Sequence, residues 1–410
     1  MKSIVLENGI KLIYKPIKGD ITSFCIGFNA GALEEEGYPL GIAHAVEHMV
    51  FKETKHRRED EINRLCDQIF GFQNAMTNYP YVVYYGTSLS EDFEVGLDLF
   101  SDILINPTFP VNGFNEEIAI IKEELKEWKD DVYQSCEDEL LYNAFNTRRI
   151  KNLIIGTEES LSSITLDHIK KFYNEFYRPD NMVITVVTSL DYDEVIEIVS
   201  RLFKDFRKKD NMVNIEKIKH IKLYEENNSG LFSKAKEDIN GAKIMLTYTL
   251  HHLNEEEIKA LEIFNHFFGV GTSSILYNNI RTKNALAYEV GSSIKNERGI
   301  KLFLIHLGTS KDKVDKAIEI INSSIEKIKN YSDLFTKEEI KNAFKSIKLK
   351  RELRLEKSIQ LAKDLTCYQL MYGSYNKVYE EVENTNNIDS EFIYKVVHKV
   401  FNNPTIQILS

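Results

Sequence analysis

The sequence predicts an α+β protein made of two homologous, duplicated domains, each a mostly antiparallel β-sheet covered by helices. Three observations lead to this prediction. Short strand-like runs alternate with long amphipathic helical runs, one residue pattern recurs in both halves of the chain, and a charged, turn-prone segment separates the halves. A chain of 410 residues is long enough for two domains, each with a core of ordinary size.

The strand-like runs are rich in β-branched and aromatic residues, which favour extended structure. Strands are predicted over residues 21–29, 79–86, 182–187 and 243–250. The helical runs have apolar residues at the spacing of one helix face. Helices are predicted over residues 91–105, 116–129 and 311–329. The start of the chain predicts a β-hairpin that turns at Asn8-Gly9.

A residue pattern in the first half recurs in the second. Gly86-Thr87-Ser88 ends a predicted strand and opens a helix, and Gly308-Thr309-Ser310 does the same. The same ungapped shift pairs two further identities, Asn74 with Asn296 and His44 with His266. Chance agreement between helices of similar composition is the alternative, but agreement at one shift favours a duplicated unit.

The boundary between the halves is predicted within residues 206–230, which are charged and turn-prone and have no continuous apolar period. We therefore predict a first domain over residues 1–210, a linker over 211–230 and a second domain over 231–410.

Composition and charge disfavour several classes of function. The formal charge is −11 and no long basic run offsets it, which disfavours a nucleic acid as the main partner. No apolar run approaches the ~18 residues that span a bilayer, and the start of the chain lacks a secretory pattern. Four scattered cysteines without a CxxC motif predict reduced thiols and a cytoplasmic location.

The stretch GIAHAVEHMVFKET, which begins at Gly41, is predicted to be helical over residues 40–52. On a helix, His44 and His48 lie on one face one turn apart, so both imidazoles can reach one Zn²⁺. Glu47 lies on the same side, close enough to touch a water molecule at the metal. Two histidines at this spacing are more often surface or core residues, so the pair alone does not establish a metal site.

A third protein ligand is sought on the helix predicted over residues 116–129. Glu117 and Glu124 share a face of that helix, two turns apart, whereas Glu123 points elsewhere. A carboxylate often completes a site with two histidines in zinc hydrolases. The alternative is that this acidic run is a solvated helix face.

These motifs resemble those of the pitrilysin/insulinase metallopeptidase family, most closely its mitochondrial-processing-peptidase-like branch. The stretch after Gly41 is similar to the family pattern G-x-A-H-x-x-E-H-x-x-F-K-x-T, an inverted zincin signature. Residues 74–77 resemble the family's N-A-x-T strand. In the second half, LYNNIRTKNALAY resembles the family's L-x-x-x-x-R-x-x-x-x-L-A-Y, with Ala285 where the family usually has glycine.

The resemblance implies roles for individual residues. It makes His44, His48 and Glu124 the ligands of one Zn²⁺ per chain, and Glu47 the general base that activates water at the zinc. Glu117 matches a supporting glutamate that orients a ligand or the helix.

The resemblance also implies residues for substrate binding and catalysis outside this cluster. Asn74, Ala75 and Thr77 are expected to bind the peptide substrate as an added β-strand. Arg281 and Tyr288 are expected to face the zinc from the second domain. That domain lacks the metal site of the first, because the ungapped shift places Gly269 and Val270 at the positions of Glu47 and His48.

The implied function is a zinc metalloendopeptidase. The two halves are expected to face each other as a clamshell and to cleave unfolded peptides, or leader and targeting peptides, inside a closed chamber. Because both motif sets lie on one chain, a homodimer is expected, with a heterodimer containing a related chain as the other possibility. The alternatives are a non-catalytic scaffold on the same fold and a dedicated maturation peptidase for a small ribosomal peptide that acts with a sister subunit.

Overall fold

The computed structural model describes residues 1–147, 149–206, 223–237, 239–330, 335–383 and 387–410. The strands are β1 Lys2–Val5, β2 Lys11–Pro16, β3 Ile21–Phe28, β4 Phe70–Thr77, β5 Val82–Leu89, β6 Met182–Thr188, β7 Gly230–Lys234, β8 Ala242–Thr249, β9 Ala287–Glu297, β10 Ile300–Thr309 and β11 Thr405–Leu409. The helices of the first half are α1 Ile42–Val50, α2 Glu59–Ile69, α3 Phe93–Ile105, α4 Val111–Asp130, α5 Val132–Ala144, α6 Glu158–Ser163, α7 Leu166–Phe176 and α8 Tyr192–Leu202. Those of the second half are α9 Glu255–Phe268, α10 Val314–Lys329, α11 Lys337–Leu355, α12 Ser358–Tyr372, α13 Lys377–Glu380 and α14 Ser390–Val400, with a π-helical segment over Tyr277–Thr282.

The chain divides into two compact units, and each takes one segment from the other half of the sequence. The first unit contains Met1–Leu125, Leu153–Ile221 and Leu353–Val378, and the second contains Lys126–Asn152, Lys222–Glu352 and Tyr379–Ser410. The linker predicted over 211–230 divides the chain at one point and did not anticipate this exchange of segments. The spacing of apolar residues in a helix does not show which sheet the helix covers. Of that predicted linker, residues 211–222 lie outside the described residues.

Six strands form the sheet of the first unit, in the order β1-β2-β6-β3-β5-β4. All neighbours are antiparallel except β2 and β6, which are parallel. The sheet of the second unit has the order β7-β11-β8-β10-β9, and only β7 and β11 are parallel. If β1 is set aside, strand order and direction are the same in the two sheets. The predicted α+β class and the predicted duplication are therefore confirmed.

The strand register corrects one of the identities that suggested the duplication. Asn74 lies opposite Tyr85, the residue before Gly86. The residue before Gly308 lies opposite Val290, so Val290 and not Asn296 is the counterpart of Asn74. The ungapped comparison was wrong here because the β9–β10 hairpin has longer strands and a tighter turn than the β4–β5 hairpin.

Most predicted element bounds agree with the structure, and two differ for local reasons. The strand predicted over 79–86 begins at Val82, because residues 78–81 form the hairpin loop and Pro80 has no N–H for a sheet ladder. The helix predicted from residue 116 begins at Val111, directly after Pro110, and α4 therefore carries the acidic residues in its middle. The predicted hairpin at Asn8-Gly9 is confirmed by the pairing of β1 with β2.

The central strands of the first unit are buried on both faces, which explains their nearly continuous apolar sequences. Seven of the eight residues of β3 are buried. One face packs against α1, α3 and α7 in the main core, and α12 covers the other. At Gly27 an added Cβ would lie 2.7 Å from the Leu370 side chain, so the absence of a side chain lets α12 approach the sheet closely. Within the described part of the chain, no helix is both long enough and apolar enough to cross a bilayer.

Candidate metal centre

The helix that carries the two histidines, α1, has a constrained beginning. Gly41 has φ +88, and an added Cβ would lie 2.4 Å from the carbonyl oxygen of Ile155, so the site requires glycine on both counts. The buried carboxylate of Glu35 accepts hydrogen bonds from the N–H groups of Gly41 (3.2 Å) and Ala43 (3.1 Å). Negative charge at a helix N-terminus is favourable. Glu35 therefore fixes the first turn of the helix that presents His44.

Three candidate ligand atoms converge between α1 and α4. Oε2 of Glu124 lies 3.7 Å from Nε2 of His44 and 3.5 Å from Nε2 of His48. One ligand atom from each of the three residues lies within 4.8 Å of the other two. Ligands about 2.0–2.1 Å from a tetrahedral zinc are roughly 3.4 Å apart, so this spacing fits a zinc ion with little adjustment.

Glu117 controls the orientation of His48. Its Oε2 lies 2.9 Å from Nδ1 of His48, and its Oε1 lies 3.1 Å from Nζ of Lys52. Burial favours a neutral Glu117, but hydrogen bonds from His48 and Lys52 outweigh it, and the pKa of Glu117 is lowered. The carboxylate therefore accepts the Nδ1–H of His48, which leaves the Nε2 lone pair available on the side of Glu124.

His44 is suited to coordinate a metal in its neutral form. Burial, followed by the nearby ring of His48, lowers the pKa of His44 to about 3, so its imidazole is uncharged at neutral pH. For His48, burial acts in the same direction, but the hydrogen bond to Glu117 and the surrounding carboxylates outweigh it and raise the pKa. Nδ1 of His44 is buried and has no hydrogen-bond partner among the described residues.

Glu47 lies beside the cluster and is held by the end of strand β4. The hydroxyl of Thr77 donates a hydrogen bond of 2.6 Å to Oε2 of Glu47, whose side chain is almost fully buried. Burial raises the pKa of Glu47, and the hydrogen bond from Thr77 opposes that rise. A buried carboxylate with a raised pKa next to a set of metal ligands is the arrangement expected of a general base.

The three residues predicted to bind substrate differ in their surroundings. Asn74, Ala75 and Thr77 all lie on β4, the strand at one edge of the first sheet, so a peptide can pair with it. Asn74 is exposed and its side chain accepts a hydrogen bond from the N–H of Ala75 (2.8 Å). Thr77 instead contacts Glu47, a role that the sequence analysis did not assign to it.

Arg281 and Tyr288 lie close together in the second unit. The guanidinium carbon of Arg281 lies 5.2 Å from the centre of the Tyr288 ring and 4.9 Å from that of Tyr277. Tyr288 is 85% exposed at the start of β9. Both predicted residues line a cavity of about 790 Å³ together with Lys243. Their predicted action on a substrate at the zinc stays a prediction.

Two residues of the first unit were missed by the sequence analysis although the sequence contained a signal. Lys52 belongs to the quoted family pattern F-K-x-T, and its charge compensates Glu117. Glu35 lies in an acidic run shortly before the helix, where a carboxylate can cap the first turn. Neither contact is visible in the sequence alone, because each depends on how loops return to α1 and α4.

Comparison with known sequences and structures gives a consistent result. Residues 15–158 match the profile of Insulinase (Peptidase family M16), and residues 163–347 match that of the Peptidase M16 inactive domain. An uncharacterized zinc protease of Rickettsia bellii is 27% identical over 399 residues, which cover 97% of this chain and 94% of that protein. The β subunit of the mitochondrial-processing peptidase of Dictyostelium discoideum is 29% identical over 212 residues, which cover 50% of this chain and 44% of that subunit. The crystal structure of a protease from Helicobacter pylori has a TM-score of 0.89 at 20% identity and covers 100% of this chain and 99% of its own.

Proposed function

We propose a function from one established premise: the chain belongs to the insulinase (M16) family of peptidases. We propose that it is a zinc-dependent endopeptidase whose substrates are unfolded peptides or leader-type peptides. The observation that supports this most directly is the convergence of ligand atoms from His44, His48 and Glu124, with the carboxylate of Glu47 beside them.

Zinc held by His44, His48 and Glu124 would supply Lewis acidity, which makes water more acidic and stabilises negative charge on a carbonyl oxygen. Glu47 accepts a proton from the attacking water and then donates it to the leaving amine. Thr77 holds one carboxylate oxygen of Glu47 and so limits its rotation. Glu117, paired with Lys52, holds the ring of His48.

Edge strand β4 supports recognition of the substrate through its main chain. A peptide that adds to this edge forms backbone hydrogen bonds that do not depend on its sequence. The added peptide also runs toward Thr77, whose hydroxyl contacts Glu47. A folded protein has few free strands to offer, so this mode of binding favours unfolded chains.

We also propose, from the family resemblance, that Arg281 and Tyr288 assist catalysis and that the two halves enclose the substrate. The homodimer, the heterodimer with a related chain and the cytoplasmic location also remain predictions.

The test compares the wild type with Glu47→Gln and with Glu123→Gln, a matched change of a nearby exposed carboxylate on α4. We expect all three proteins to contain about one zinc per chain more than His44→Ala/His48→Ala, which lacks the cluster on α1. We expect cleavage of a quenched peptide library to fall by at least about a hundredfold in Glu47→Gln alone, because general-base catalysis contributes about 10²–10⁴-fold.

Elemental analysis and the rate of library cleavage give the two readouts. Absence of zinc from the wild type would overturn the proposal and favour the non-catalytic scaffold. Full activity of Glu47→Gln would show that another group is the base. Zinc in the wild type without cleavage of any library peptide would favour a peptidase restricted to one maturation substrate.

A further inference from the structure

A second set of metal-ligand side chains lies in the second unit, away from α1 and α4 in the chain. Glu226 precedes strand β7, and His251 and His252 form the turn that follows β8. One ligand atom from each of the three lies within 4.8 Å of the other two. Nε2 of His251 lies 3.3 Å from Oε1 of Glu226.

The turn explains how adjacent histidines can point to the same place. In a strand, neighbouring side chains point to opposite faces. Here β8 ends at Thr249, and the N–H of Leu253 bonds to the carbonyl of Leu250 (3.0 Å), so His251 and His252 lie in a closed turn instead. The Nζ of Lys399 also donates to the carbonyl oxygen of His252 (3.2 Å), which holds the turn in place.

Neighbouring side chains also orient the carboxylate of Glu226 and the ring of His251. The hydroxyl of Thr249 donates a hydrogen bond of 2.6 Å to Oε2 of Glu226, which leaves Oε1 toward His251. The ring of Tyr224 stacks on the ring of His251 with 5.7 Å between centres and 4° between planes. Partners that orient the ligands are typical of protein metal sites.

From this geometry we propose that Glu226, His251 and His252 bind one divalent transition-metal ion of the zinc type. Two imidazoles and one carboxylate are ligands that suit Zn²⁺, and they leave a coordination position for water. The separation of 3.3 Å between His251 and Glu226 is close to the roughly 3.4 Å expected of two ligands on a tetrahedral zinc.

The charges around the cluster permit a cation. Glu226 contributes one negative charge, and Glu257, which lies near His252, contributes a second. Lys399, a cation that contacts this group, is paired with Glu257 at 2.9 Å, so its charge is offset. A bound ion would link the segment before β7 to the end of β8, and we expect it to stabilise the second unit.

The test isolates this site by removing the first one. In the variant His44→Ala/His48→Ala we expect one equivalent of Co²⁺ to bind. Its visible absorption spectrum should be that of a four- or five-coordinate ion. Addition of His251→Ala/His252→Ala should remove that equivalent, whereas addition of His398→Ala, an exposed histidine outside the cluster, should not. Glu226→Gln should weaken the binding by about tenfold or more, and Thr249→Val by about tenfold.

Two results would overturn the proposal. One is that His44→Ala/His48→Ala binds no more Co²⁺ than the variant that also carries His251→Ala/His252→Ala. This would mean that His251 and Glu226 form only an ion pair. The other is binding that is insensitive to Glu226→Gln, which would indicate adventitious association with surface groups. Circular dichroism of each variant establishes that it is folded. The result is independent of peptidase activity, because every variant in this series lacks the first cluster.

Discussion

The corresponding helix and edge strand of the two units make the most instructive comparison. In the first unit α1 packs against β4, and Glu47 accepts a hydrogen bond from Thr77. In the second unit α9 packs against β9, and Ser292 bonds to the side chain of Asn265. Both units therefore have a polar side-chain contact between the helix and the strand, and of these two contacts the one in the first unit uses an ionisable group. Strand order determines where such a contact lies, and the identity of a few side chains determines whether it can carry out chemistry.

The helices differ in how they meet the core. α9 contributes Phe264 and Phe268, which stack on each other with centres 5.0 Å apart. α1 contributes the small residues Ala45 and Val46, which are fully buried. Candidate metal-ligand atoms lie together beside α1, whereas α9 contributes to no such group among the described residues. In the described residues, the second set of such atoms is formed by Glu226 and the turn after β8, with no contribution from α9.

The largest expected effect tests whether α4 completes the cluster on α1. Glu124→Gln should lower Zn²⁺ affinity by more than the 10–100-fold cost typical of groups that only support a ligand. Glu123→Gln, the exposed neighbour, should leave the affinity unchanged. Competition with a zinc chelator measures both, in proteins that also carry His251→Ala/His252→Ala so that the second proposed site does not contribute. Equal affinities in the two variants would show that Glu124 is not a ligand and would remove the main difference between the units.

The next effect concerns the polar contact in each unit. Thr77→Val removes the hydrogen bond that opposes the rise in the pKa of Glu47. Because the base must be ionised, the acid limb of kcat/KM should move to higher pH. At neutral pH we expect cleavage to slow by about tenfold, the equivalent of one charge-assisted hydrogen bond of roughly 1.5 kcal/mol.

Ser292→Ala is the matched change in the second unit. It should leave zinc content and the acid limb unchanged and should reduce the free energy of unfolding by about 1 kcal/mol, since it removes a buried neutral hydrogen bond. The measurements are pH–rate profiles and urea denaturation. If both variants moved the acid limb equally, the contact in the first unit would have no special role.

The smallest effect concerns Ala285, which has φ +49 in the second unit. This left-handed conformation costs a non-glycine residue about 1–2 kcal/mol, although glycine is itself more flexible when unfolded. Ala285→Gly should therefore raise the free energy of unfolding by up to about 1 kcal/mol and leave zinc content unchanged. A loss of stability in urea denaturation would show that the segment between Arg281 and Tyr288 is not strained.

Local patterns in the sequence were sufficient for much of the fold. The strand predicted over 182–187 is β6, Met182–Thr188, and the strand predicted over 243–250 is β8, Ala242–Thr249. The helical spacing of His44 and His48, and that of Glu117 and Glu124, likewise predicted which side chains share a face. These predictions succeed because the side-chain periods of helices and strands are properties of the local backbone.

Tertiary structure alone decided the features that join distant segments. These are the insertion of β6 between β2 and β3, the placement of α12 on the first sheet, the hydrogen bond from Thr77 to Glu47, and the meeting of Glu226 with His251. A residue period states which face of an element is apolar, but not which other element covers it. Pairings between distant segments depend on the packing of the whole chain. The sequence by itself therefore determined the helices, the strands and the candidate ligands, whereas the fold determined which elements and side chains contact each other.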